Sequence, residues 1–202
     1  VAEYDRARRS AEKALGYYGE TGDVLGQGWC HQKIGFAEYR TRPGAQVLAF
    51  YEKARALYGG AEAAREEAGI LIDIGLVHYS VLENPERAIE CFAEARALYE
   101  AVGDRRGLTR AYGNMGAQYY ALGRYEEALE FHGRANALAI ATGDRRLVAT
   151  SCGALGQCEI ALCRYSPALL HLQEELRIAR EIGDQYLQEM CQENLGELYM
   201  TL

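Results

Sequence analysis

Six cysteines and four histidines are the side chains of this 202-residue chain best suited to nucleophilic or metal chemistry. A thiol beside an imidazole could supply a nucleophile and its base, and either could ligate zinc. Their spacing supports neither. His31, His78, His132 and His171 are scattered, and no cysteine pair has the Cys-x-x-Cys spacing. Cys158 and Cys163 enclose four residues, which is not a zinc-ligand spacing. Gly26-Gln27-Gly28 starts like a dinucleotide-binding turn, but His31 stands where a third glycine is needed and no strand pattern precedes it. No phosphate-loop lysine is present. These residues predict a chain that is not an enzyme and holds no metal and no cofactor.

What organises the chain is a period. Gly35, Gly75, Gly116, Gly156 and Gly196 follow one another at steps of 40, 41, 40 and 40 residues. Twelve residues before four of them stands an Asp preceded by a Gly: Gly22-Asp23, Gly103-Asp104, Gly143-Asp144 and Gly183-Asp184. Glycine closes one helix in a left-handed conformation, and aspartate caps the next. The second unit lacks the pair, has Ala63 at the Asp position, and is expected to join through Gly59-Gly60. Small or apolar residues recur in phase at Val47, Ala88, Ala128 and Ala168, then at Ala54, Ala95 and Ala135, where Glu175 breaks the series. Small residues there let two helices approach closely.

Each unit therefore reads as two helices. First helices are placed near residues 23–40, 62–81, 104–121, 144–162 and 184–201, and second helices near 2–19, 45–58, 86–101, 125–141 and 165–181. Short connections imply antiparallel neighbours. Pro43-Gly44, Leu82-Glu83-Asn84-Pro85 and Leu122-Gly123 mark the turns inside units, and the surplus residue of the second unit falls in its turn. The domain reading is one array over 1–202: a half repeat at 1–22, repeats at 23–62, 63–103, 104–143 and 144–183, and a half repeat at 184–202. Its ragged ends suggest a segment of a longer protein. Cys30, Cys152, Cys158, Cys163 and Cys191 fall in first helices and Cys91 in a second, so all six are expected as buried, reduced thiols.

Met115-Gly116 with Tyr119, Leu195-Gly196 with Tyr199, Leu155-Gly156 and the pair Ala128/Ala135 resemble the tetratricopeptide repeat. The period is that of its longer, 40-residue class, represented by G-protein-signalling adaptors and rapsyn-like arrays. The resemblance implies an all-α, right-handed superhelical solenoid of antiparallel helix pairs. It implies a protein-interaction scaffold that binds an extended peptide or helix in a concave groove lined by the first helices. The alternative is a regulatory or sensor arm of a larger multidomain signalling protein, in contact with its own neighbouring domain. The groove residues implied are Lys33, Phe36, Tyr39, Arg40, Asp73, Tyr79, Arg110, Asn114, Tyr120, Gln157, Asn194 and Glu197. Asn114 and Asn194 matter most, since a carboxamide can both donate to and accept from an extended peptide backbone. Tyr39, Tyr79 and Tyr120 share one position, continued by Ile160 and Met200, and could floor the groove or equally pack between helices.

Phe36, Leu76, Ala117, Gln157 and Glu197 occupy the place where chaperone-tail binders carry an asparagine, which argues against that ligand. The formal charge of −7, with 22 basic and 29 acidic residues interspersed, offers no basic stripe for nucleic acid. No 18-residue apolar run exists to span a membrane, and no signal segment opens the chain. A cytoplasmic location is expected. End-to-end self-association through the terminal helices is a further expectation.

Overall fold

The computed structural model describes residues 2–60 and 62–201, and among them every regular element is an α-helix. In chain order these are α1 (Ala2–Thr21), α2 (Val24–Thr41), α3 (Gln46–Gly60), α4 (Ala64–Ser80), α5 (Pro85–Ala101), α6 (Arg105–Ala121), α7 (Tyr125–Thr142), α8 (Arg145–Ala161), α9 (Tyr165–Glu181) and α10 (Gln185–Thr201). The even-numbered elements are the first helices of the repeats. The chain divides into two compact units, residues 1–107 and 108–202.

The junctions follow from the Gly-Asp pairs. Gly22, Gly103, Gly143 and Gly183 all have φ between 67° and 70°, a region costly for any residue with a Cβ. The aspartate that follows accepts a backbone N–H three residues on: Asp23 from Gly26 at 2.8 Å, Asp104 from Gly107 at 2.9 Å, Asp144 from Leu147 and Asp184 from Leu187 both at 3.2 Å. Two caps also receive an arginine from the preceding first helix, Arg65 on Asp104 at 3.0 Å and Arg146 on Asp184 at 3.1 Å. The irregular junction differs from expectation. Gly59 and Gly60 stay inside α3, and Glu62 takes the left-handed turn at φ 54°. Ala63 gives α4 no side-chain cap. The repeat phase dictates the backbone there, although the residue types do not favour it.

The marker glycines are points of close approach. A Cβ at Gly35 would meet the Tyr51 ring at 2.9 Å, at Gly75 the Phe92 ring at 2.4 Å, at Gly116 the His132 ring at 2.7 Å and at Gly156 the Leu172 side chain at 2.8 Å. Each contact joins a first helix to the second helix of its own repeat. Gly196, on α10, faces open space.

In unit 1 the core gathers Val47, Tyr51, Ala54, Tyr58, Ile70, Ile74, Val77 and Cys91. Unit 2 is held by one cluster around Ala139, Val148, Ala149, Cys152 and Ile178, and another around Ala168, Leu172, Cys191 and Leu198. Five cysteines are buried, but Cys163 is exposed. It lies beyond the end of α8, in the left-handed turn at φ 57°, the position that Gly123 fills one repeat earlier at φ 72°. The expectation that it packs inside a helix is thus corrected. No helix among the described residues is long and apolar enough to cross a membrane.

Candidate functional site

In unit 1 the first helices α2 and α4 are tied together across their surfaces. Gln32 Nε2 donates to Asp73 Oδ2 at 2.9 Å. The Tyr39 hydroxyl lies 2.8 Å from Ser80 Oγ, which itself donates to the Leu76 carbonyl. Asp73 and Tyr39 are therefore engaged within the array. Lys33 is exposed and places its ammonium 5.6 Å from the centre of the Trp29 ring. Phe36 and Arg40 meet α1 instead: Tyr4 packs edge-on against Phe36 at 6.0 Å, and the Arg40 guanidinium sits 5.4 Å over Tyr4. Tyr79 is 42% exposed. Of the candidates on α2, Lys33 is thus presented outward, and Phe36 and Arg40 form a stack with Tyr4 that the sequence did not reveal.

Unit 2 treats Asn114 and Asn194 differently. Gln157 Nε2 donates to Asn194 Oδ1 at 3.1 Å, which bridges α8 and α10 and occupies the Asn194 carbonyl. Asn114 on α6 is half-buried, and no side-chain hydrogen bond to it is found among the described residues. Its donor and acceptor are both free for a guest. Arg110 and Glu197 are exposed. Tyr120 packs at 5.2 Å against Tyr125, and burial first, then neighbours including Glu197, raises its phenol above the usual range. The Gln32–Asp73 and Gln157–Asn194 bridges span 41 and 37 residues and join positions that are out of phase with each other, so the repeat period did not reveal them.

Behind this surface, unit 2 carries polar groups where its neighbour is apolar. His132 packs on Gly116 at the position of Tyr51, Phe92 and Leu172, and burial lowers its imidazole to about 4. Glu175 replaces the alanine of the other repeats and is 2% exposed. Its carboxyl fills the space over Gly153, where a Cβ would lie 2.5 Å from Oε1. Oε2 has no hydrogen-bond partner, and burial pushes the group up to about 7 against the opposing pull of a hydrogen bond with Cys191. Twelve residues separate Tyr119 from Phe131, whose rings stack at 5.1 Å; the same two positions one repeat later hold Glu159 and His171, joined at 2.8 Å through Nδ1. Burial lowers His31 and His78, whose Nδ1 atoms are unpartnered. Groups of three or more metal-ligating side chains are not found among the described residues.

The tetratricopeptide repeat family matches residues 66–135 and 107–181. Among solved structures the chain is similar to BtubC (BKLC) from P. vanneervenii, at a TM-score of 0.75 and 12% identity over 98% of this chain and 91% of that one. It is similar to a Rap protein complexed with competence and sporulation factor, at 0.71 and 15%, over 97% of this chain and 62% of that one. It also resembles a signal-transduction ATPase with a tetratricopeptide repeat sensor from Pyrococcus horikoshii, at 0.69 and 16%, spanning 98% of this chain but 33% of the ATPase. At these identities the likeness is one of fold. No curated protein sequence matches the chain.

Proposed function

Because the chain belongs to the tetratricopeptide repeat family, whose match spans residues 66 to 181, we propose that it is a non-catalytic interaction scaffold holding a partner's extended peptide or helix against the concave face of its first helices. The observation that carries this reading is Asn114: half-buried, on a first helix, with an unspent carboxamide. An extended peptide presents backbone N–H and C=O groups that such a side chain can pair. Around it we assign contact roles to Arg110 and Tyr120 in unit 2, and to Lys33 and Tyr79 in unit 1. Asp73, Tyr39, Gln157 and Asn194 keep the first helices in register while their outward atoms edge the surface. Phe36, Arg40 and Glu197 complete the set. One array over 1–202, a cytoplasmic location and end-to-end association belong to the same proposal.

The similar Rap structure is a complex with competence and sporulation factor, which supports occupancy of such a fold by a partner. The second reading is a sensor arm within a larger signalling protein, favoured by the ATPase whose repeat sensor this chain resembles. Peptide-array binding separates the residues. Asn114→Ala is expected to weaken a retained peptide at least fivefold, and Asn194→Ala to weaken it less, with helicity unchanged in both. Undiminished binding by Asn114→Ala rejects the assignment.

A further inference from the structure

Between α7 and α9 in unit 2 lies a hollow of ≈ 510 Å³ floored by Val148 and Cys152 of α8, within the ~300–1,000 Å³ typical of ligand pockets. Its origin is a substitution between repeats. Cys152 stands 40 residues after Tyr112. In the third repeat the Tyr112 ring fills the matching place, 6.1 Å from Phe131 and with the Arg134 guanidinium 5.8 Å over it. In the fourth repeat His171 replaces Phe131, Glu174 replaces Arg134, and the ring is missing. The protein thus shows, one repeat earlier, what shape the hollow accepts.

The rim fixes the guest's chemistry. Glu174 is paired with Arg177, and Arg145 with Glu181, so neither wall presents an unspent charge. The Asn136 carbonyl accepts from Ser151 at 3.3 Å. His171 gives its Nδ1 to the buried Glu159 at 2.8 Å. With the Glu159 oxygen accepting, Nδ1 carries the proton, which in the uncharged tautomer leaves Nε2 as an acceptor. We propose that this hollow is a binding pocket for one uncharged aromatic ring bearing a hydrogen-bond donor, of the phenol or indole class. The ring lies on Val148 and Cys152 as Tyr112 lies on its neighbours, and its O–H or N–H reaches His171. The pocket is separate from the first-helix surface and does not depend on that surface's role.

Titration of the full chain with indole and phenol, followed by nuclear magnetic resonance, tests this. Saturable shifts are expected around Cys152 and His171. Cys152→Tyr, which rebuilds the third-repeat residue, should weaken indole at least tenfold. His171→Phe should weaken indole at least fivefold while leaving benzothiophene, which has no donor, within twofold. Should Cys152→Tyr fail to fold, His171→Phe still discriminates, because equal weakening of indole and benzothiophene would remove the hydrogen bond from the proposal. N-acetyltryptophanamide distinguishes a ring offered on a polypeptide from a free small molecule, since only a partner's side chain requires the blocked form to bind. Absence of saturable binding by indole and phenol overturns the proposal, as does full-strength binding in folded Cys152→Tyr.

Discussion

The two units share a repeat backbone and differ in what they bury. Of the seven buried polar or charged side chains among the described residues, Glu38 alone lies in unit 1; Thr109, Gln118, His132, Ser151, Glu159 and Glu175 lie in unit 2. Glu38 is answered by Arg8 at 2.7 Å. Glu175 is answered incompletely, and Gln118 leaves its carbonyl oxygen unpartnered. Unit 1 fills the same layers with Ile70, Leu71, Ile72, Ile74 and Phe92. The helix-pair frame therefore accepts ionisable interiors wherever a small residue opens room. At one pair of repeat positions bulk moves between helices: Ile72 with Ala95 in the second repeat, Gly153 with Glu175 in the fourth. In a repeat protein stability is nearly a sum of local terms, so the two units should answer pH and mutation separately.

The largest effect expected is Phe92→Ala in unit 1. Emptying that position should cost about 3–5 kcal/mol in chemical denaturation, equally at pH 5 and pH 8, because Phe92 does not titrate and packs on Gly75. A loss that varied with pH would erase the contrast. Next comes Glu175. Its folded value of about 7 lies above the ordinary 4.5, so the folded state binds the proton more tightly than the unfolded chain. That contribution is full below about 4.5 and lost as pH rises through 7, on the order of 3 kcal/mol in all. Hydrogen exchange in α9 should quicken between pH 5 and pH 8 beyond its intrinsic rate, that in α3 should not, and Glu175→Gln should flatten the difference. His132 acts with the opposite sign. Its lowered value of about 4 gives a contribution present above 6.5 and lost as pH falls, so His132→Phe should spare unit 2 on acidification.

A smaller effect tests the close approaches. Gly75→Ala forces a methyl against Phe92 and should cost about 1–3 kcal/mol. Gly196→Ala meets nothing and should gain a few tenths to about 1 kcal/mol of helix propensity. Equal melting shifts would mean that the glycines are not packing devices. The smallest change repairs the irregular junction. Glu62→Gly with Ala63→Asp restores the pair used at the other four junctions and should stabilise α4 by about 1 kcal/mol.

The period, the helix pairs and the caps could be read from residue types because glycine and aspartate each have a backbone reason to stand where they do. Glu62 could not be read: its left-handed turn is imposed by the repeats on either side, not by its own preference. Cys163 was misplaced for the same cause, since a turn that glycine marks in the third repeat is unmarked in the fourth. Asn114 and Asn194 look alike in sequence and differ only through Gln157, a neighbour 37 residues from Asn194. The hollow beside Cys152 could not be read from residue types, because a missing ring leaves no mark of its own, although Tyr112 and Cys152 are in phase.

The outlying position of Cys163 makes it a built-in label site. With the other five thiols enclosed, a maleimide dye added to the native protein should attach once. Attachment at the remaining five would then record each opening of the interior, with no engineered residue needed.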